Sequence, residues 1–202
     1  MTERPGRTRL TSEERRSQLL DLGVRLFSRR SLPEISIDLL AETAGISRGL
    51  LYHYFGGLAG FQEAVVRRAA DDLIARTAPP ASGDAISRLL TSIDAYVSYV
   101  DEHYEGYLSL VAGARSGNET LRRIYDEGRS ALTDRIFTSD TDNLLPDSPT
   151  ARLLVRGWAS MAEEMVLEWK ASGGGDGGAV SRDELLRLIT AALPALASEL
   201  SG

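Results

Sequence analysis

The sequence contains no cysteine, which removes disulfides, thiolate metal sites and thiol nucleophiles together. Histidine is almost as scarce. His53 and His103 are the only two, too few for an imidazole metal centre, and neither a metal nor a cofactor is expected. No apolar run approaches the ~20 residues needed to cross a bilayer, and the opening MTERPGRTRL has no apolar stretch behind its arginines. Neither a membrane span nor a secretory leader is therefore expected, and the expected location is cytoplasmic. Segments that alternate at period two are missing too, which argues against a sheet. Lysine is nearly absent: of 23 basic residues, only Lys170 is a lysine. The guanidinium fork suits phosphate and guanine, but with alanine and glycine so plentiful the same bias also reads as GC-rich coding.

What is present is ordinary globular material: 202 residues, 43% hydrophobic and 26% charged, with a net charge of -6. That length suits one large domain or two smaller ones. Charge position says more than the total. Residues 1–76 hold 12 arginines against 10 acids, whereas residues 77–202 hold 11 basic against 19 acidic residues. The first 30 residues alone carry 8 arginines and 4 acids. Such asymmetry fits a nucleic-acid-facing end joined to an acidic body.

Nearly every patterned segment follows the 3.6-residue period, so the fold class is all-α, with nine helices expected. Thr11-Ser-Glu-Glu14 forms a capping box that opens a helix running to about Arg30, before Leu32-Pro33. Short helices follow at about 37–43 and, with Ser47 as N-cap, to about Tyr54, where Gly56-Gly57 breaks the run. A fourth spans 58–76 and ends before Pro79-Pro80, the best candidate boundary. Beyond it, helices are expected at about 84–102, 104–114, from Asn118, at 148–170 and at 181–198. Ser148-Pro149 and the box Ser181-Arg-Asp-Glu184 mark the last two starts, and Pro194 should bend or fray the final helix. GGGDGG at 173–178 lacks the Lys-Ser/Thr of a phosphate loop and reads as a helix connection.

The segment Ile37 to Phe55 has the spacing of a helix-turn-helix: two short helices about a turn at Gly45-Ile46-Ser47, with Ala41 and Ala44 small enough for close packing. Leu51 and Phe55 are an i, i+4 pair directed to the core, while Arg48 with Tyr52 and Gly49 with His53 line adjoining outer rows. The run ISIDLLAETAGISRGLLYHYFGG, preceded by RRSQLLDLGVRLFSRR, resembles the DNA-binding domain of TetR-like transcriptional regulators. LFSRR at 26–30, LAETAGIS at 40–47 and the L-Y-x-Y-F ending at 51–55 carry the resemblance, which covers about 65 residues. It implies a homodimeric repressor whose third helix enters the major groove of a near-palindromic operator in double-stranded DNA and which a small-molecule effector releases.

The implied layout is a head at 11–56, a connecting helix at 58–76 and an effector-binding and dimerisation domain at 77–202, dimerising through 148–170 and 181–198. Arg48 is assigned to base contact, since arginine to guanine O6/N7 is the commonest specific pairing. Gly49 permits close approach, and Tyr52, His53, Ser47 and Ser36 are assigned to the DNA backbone. Tyr54 is either a DNA contact or a packing residue. Leu50 stands where many members carry a small polar residue, which leaves contact to a thymine methyl. Gly57-Leu58 replaces a lysine that the family favours, leaving backbone amides at that helix start to meet phosphate.

In the C-terminal half, Tyr96, Tyr99, His103, Tyr104 and Tyr107 cluster, with Trp158 and Trp169 further along. They read either as an aromatic effector pocket, for which Tyr96, Tyr99, His103, Tyr107 and Trp158 are the candidates, or as core filling. Asp101-Glu102 reads as a solvated helix end. No paired carboxylates or nucleophile–base spacing support an all-α enzyme. A helical ligand-binding or interaction protein with a weakened DNA head is the other alternative.

Overall fold

The computed structural model describes residues 11–140, 142, 144–174 and 178–198. Among these lie nine α-helices and no strand: α1 (Ser12–Phe27), α2 (Ile37–Ala44), α3 (Arg48–Phe55), α4 (Leu58–Arg76), α5 (Ala85–Glu102), α6 (Tyr104–Arg115), α7 (Glu119–Thr138), α8 (Pro149–Ala171) and α9 (Arg182–Ser198). Arg4, Arg7 and Arg9, which contribute to the basic N-terminal charge, fall outside the described residues, as do positions 175–177 of the glycine stretch.

Local chemistry sets the helix starts. Thr11 Oγ1 accepts from the Glu14 amide at 3.2 Å, and Glu14 accepts from the Thr11 amide at 2.7 Å. That reciprocal box is repeated at Ser181 and Glu184. Ser148 caps α8 ahead of Pro149, whose missing amide hydrogen costs nothing at a helix start. One helix end departs from the expectation: α1 stops at Phe27, three residues early, where the Ser28 hydroxyl donates to the Arg25 carbonyl. α9 runs through Pro194 to the expected end at Ser198.

Two hydrophobic clusters organise the helices. The first joins Leu19, Phe27, Leu40, Leu51, Phe61 and Val65 of α1 to α4, and it also takes in Leu110, Leu121 and Ile124 from α6 and α7. The second is built around Val97, Val100, Val155, Trp158, Val166 and Ile189. Tyr125 packs against both. Burying a leucine or phenylalanine side chain contributes roughly 1.5–3 kcal/mol, so residues borrowed from α6 and α7 bind the N-terminal unit firmly to the rest.

The link from α1 to α2 is pinned from outside itself. It contains a 3₁₀ turn at Leu32–Glu34 with a Ser31–Glu34 box of its own. Gln62 of α4 donates to the Leu32 carbonyl at 3.0 Å, and Ser109 of α6 accepts from the Leu32 amide at 3.3 Å. Nearby, a Cβ on Gly106 would lie 2.5 Å from the Phe27 carbonyl oxygen, so α6 meets the end of α1 only as glycine.

Candidate functional site

α3 is held by one side and shows the other. Gly45 takes φ 63 between α2 and α3, a left-handed turn that glycine adopts without steric cost. Ser47 then caps α3, accepting from the Leu50 amide at 3.3 Å. Leu51 is fully buried, and the Phe55 ring packs edge-on against Phe61 with centroids 4.9 Å apart. Those two anchors turn Ser47, Arg48, Gly49, Tyr52 and His53 to solvent, with Tyr52 55% exposed.

Arg48 Nε lies 2.5 Å from Asp38 Oδ1 on α2, and both side chains are well exposed. A pair this open to water contributes little to stability, but it aims the guanidinium across the helix-turn-helix. Gly49 has no internal reason to be glycine: an added Cβ would meet only Ser47 Oγ, at 3.9 Å. Glycine inside a helix costs about 1 kcal/mol relative to alanine, and among the described residues no close packing at Gly49 offsets that cost. Ser36 caps α2 by accepting from the Leu39 amide at 3.1 Å. Both cap hydroxyls still carry a proton for an outside acceptor. Leu50 is half-buried, and Tyr54 is half-buried against the first cluster. Arg16 of α1 stacks over the Phe55 ring at 5.2 Å, placing a second cation beside the far end of α3. At the start of α4, Gly57 adopts φ 137 and offers no side-chain cap.

A cavity of about 170 Å³ lies deeper in the molecule, and Tyr96, Tyr99, His103, Tyr107 and Trp158 all line it. Tyr104 packs on the second cluster instead, and Trp169 donates to the Val180 carbonyl at 2.9 Å outside the cavity wall. The wall is mostly apolar, but one end is a hydrogen-bonded chain. The Tyr96 and Tyr107 hydroxyls are 2.9 Å apart, Tyr107 donates to Glu163 at 2.9 Å, and Tyr125 donates to the same carboxylate at 2.8 Å. Arg129 donates to the Tyr125 oxygen at 2.6 Å. Glu163 is 5% exposed. Burial first, and the nearby Glu163 charge after it, pushes the Tyr125 hydroxyl up to about 12. Burial likewise pushes the Tyr96 and Tyr107 hydroxyls far above the usual phenol range, so all three stay protonated.

At another point of the wall, His103 Nε2 faces Arg76 Nη1 at 3.3 Å. Arginine only donates, so Nε2 accepts and the neutral ring carries its hydrogen on Nδ1. Burial, then the Arg76 charge, lowers the His103 pKa below 6.5. The neighbouring acids are not a merely solvated helix end: Glu102 pairs with Arg76 at 2.7 Å, and Asp101 pairs with Lys170.

Sequence reasoning missed Asp38, Arg16, Glu163, Tyr125 and Arg129. Glu163 did leave a signal, as a carboxylate on the apolar stripe of α8 between Ala162 and Val166. Among the described residues, no three His, Asp or Glu side chains gather as a metal site would require, and no helix is long and apolar enough to cross a membrane. On α8 and α9, which lie against each other, Leu153 is 73% exposed and Leu188 and Leu196 are also exposed.

Residues 19–65 match the tetR family of bacterial regulatory proteins, and residues 86–193 match a tetracyclin repressor-like C-terminal domain. The chain is 24% identical over 163 residues to the HTH-type transcriptional activator FasR of Mycolicibacterium smegmatis, covering 80% of this chain and 74% of that one. It is 40% identical over 65 residues to the HTH-type transcriptional regulator BetI of Burkholderia ambifaria, a stretch that is 32% of this chain and 34% of the relative. A crystal structure of a tetR-family transcriptional regulator from Streptomyces coelicolor superposes with a TM-score of 0.78 at 38% identity, covering 93% of this chain and 82% of the other. With the helix-turn-helix exposed as described and both parts of the chain matched, the protein belongs to the TetR family and is a DNA-binding transcriptional regulator.

Proposed function

We propose that the protein is a repressor that binds a near-palindromic operator as a homodimer and leaves it when a small molecule occupies the 170 Å³ cavity. The observation that carries the DNA half is the outward row of α3. Four donors and one bare glycine share one exposed face over seven residues, anchored from behind by Leu51 and Phe55. Arg48 reads a base edge. Ser47, Ser36, Tyr52 and His53 serve phosphates, Gly49 lets the backbone come close, and Leu50 meets a thymine methyl. The uncapped amides at the start of α4 take a phosphate where the family's lysine is missing, and Arg16 adds positive charge. Tyr54 acts mainly as packing against α3's own supports.

The head comprises residues 11–56, α4 connects it, and residues 77–202 hold the effector and the dimer surface. Exposed leucines on α8 and α9 support that surface, because an adjoining pair of helices rarely leaves such side chains to water without a partner. Two-fold symmetry then sets the half-site spacing. Effector and DNA favour different forms of the dimer, so each must bind the two forms with different affinity. The protein is not an enzyme in this reading and uses no cofactor.

A salt titration of binding to DNA from the chain's own upstream region tests the reading. Log affinity should fall steeply with log salt as phosphate contacts release counterions. Absence of salt-sensitive binding to any such fragment overturns it. Because FasR is named an activator, transcription from the bound promoter with and without the protein supplies the sign: repression supports the proposal and activation replaces it.

A further inference from the structure

Eight residues of the mostly apolar cavity wall carry a hydroxyl group, and their hydrogen bonds all run the same way. Tyr99 donates to the Ala69 carbonyl at 2.7 Å, Thr77 to the Leu73 carbonyl at 2.7 Å and Thr133 to the Arg129 carbonyl at 2.9 Å. Ser28 and Ser92 likewise donate to helix carbonyls. Tyr107 gives its single proton to Glu163, so the bond between Tyr96 and Tyr107 must run from Tyr96 to Tyr107. Tyr125 also donates to Glu163. Every hydroxyl proton on the wall is therefore given to a protein acceptor, and none is left to donate to a ligand.

The charged groups agree with that polarity. Glu163 is the buried carboxylate at the polar end. Of the two arginines that reach the wall, Arg129 donates to the Tyr125 hydroxyl, the Ser160 hydroxyl and the Arg156 carbonyl, and Arg135 donates to the Ile74 carbonyl. Arg115, 3.6 Å from Glu163, is itself largely exposed. Tyr96, Tyr107, Tyr125 and Trp158 line the same cavity as the carboxylate, and aromatic rings can attract a cation that lies over their faces.

We infer that the effector is a small lipophilic amine, bound as its ammonium ion, with its N–H groups toward the Tyr96 oxygen and the Glu163 end and its apolar body against the aliphatic wall. The inference rests on the reading of this cavity as the effector site. The volume limits the ligand further. About 170 Å³ is near the roughly 150 Å³ that admits a benzene ring and below the ~300–1,000 Å³ of drug-sized pockets, so one ring or a short branched chain fills it. A carboxylate-headed ligand of the same size would find no free hydroxyl donor and would lie against Glu163.

Four probes of one shape separate the alternatives: benzylamine, benzyl alcohol, toluene and benzoate, each titrated calorimetrically into the full-length protein. Benzylamine should bind tightest and benzoate weakest. Glu163→Gln should weaken benzylamine by roughly tenfold or more, the loss expected of one charge-assisted hydrogen bond, and change toluene by less than about twofold on the same scale. Tyr96→Phe, which removes the outermost acceptor without removing a buried charge, should weaken benzylamine and leave toluene unchanged; it keeps the test open if the Glu163 variant does not fold. Tighter binding of benzoate, toluene or benzyl alcohol than of benzylamine overturns the inference while leaving the cavity as an effector site. Equal losses for all four probes in both variants do the same. No binding by any probe overturns the effector-site reading and this inference with it.

Discussion

The outer face of α3 and the wall of the cavity use the same kinds of side chain, serine, tyrosine, histidine and arginine, for opposite ends. On α3 the cap of Ser47 accepts from backbone, Tyr52 and His53 stand in water, and Arg48 pairs with an exposed aspartate. Their donors stand exposed to solvent, on the side where the proposed operator would bring phosphate, a partner with acceptors alone. In the cavity the hydroxyl protons run inward to Glu163 and to helix carbonyls. Composition does not distinguish the two regions. The direction of the hydrogen bonds does, and that direction is set by what lies behind each residue: a short helix with solvent beside it, or a ring of packed helices.

The comparison breaks most severely if the support behind α3 is removed. Leu51→Ala opens a hole in a fully buried position and should cost about 2–5 kcal/mol, measured by chemical denaturation. DNA binding should fail while ligand binding in the native fraction persists. Reversing the cavity's polarity comes next. Glu163→Leu leaves the Tyr107 and Tyr125 hydroxyls without their acceptor, costing about 1–3 kcal/mol for each orphaned group, and DNA affinity of the folded protein should be little altered.

Arg48→Ala should cost roughly 1–3 kcal/mol of DNA affinity and relax preference at one operator position, with the melting temperature nearly unchanged because its ion pair is exposed. Asp38→Asn should move specificity less than Arg48→Ala, since Asp38 pairs with the guanidinium proposed to read the base and acts only through it. An unchanged operator preference in the Arg48 variant would assign base reading elsewhere on α3. The smallest effect belongs to His103. Its folded pKa lies below the ordinary 6.5, so the unfolded chain takes up the proton first as pH falls. Its contribution to stability is therefore present above pH 6.5 and is lost as pH drops through the lower folded value. His103→Gln should flatten the decline in melting temperature over that window and leave the curve above pH 7 alone.

What could be read from sequence follows the same physical line. Helix starts were legible because capping involves residues three apart: Thr11 with Glu14, Ser47 with Leu50, Ser181 with Glu184. The outer row of α3 was legible because one helix carries it. Five wall residues of the cavity could be named because aromatic spacing marks α5, α6 and α8, but their chemistry could not, since Glu163 and Tyr125 lie on different helices that only packing brings together. Asp38 was invisible for a similar reason: its meeting with Arg48 depends on the angle between α2 and α3. The 3₁₀ turn at 32–34 carries a local Ser31–Glu34 box, but the contacts that pin it from outside were hidden because Gln62 and Ser109 are far along the chain.

The three residues that α6 and α7 lend to the first cluster, Leu110, Leu121 and Ile124, bear on how exchangeable the head is. A reading head moved from a relative onto this body would arrive with a surface shaped for other neighbours, against leucines and an isoleucine it had never met. New operator specificity is therefore better reached by altering the outer row of α3 than by transplanting the whole unit, because those positions touch nothing that the body has already fitted.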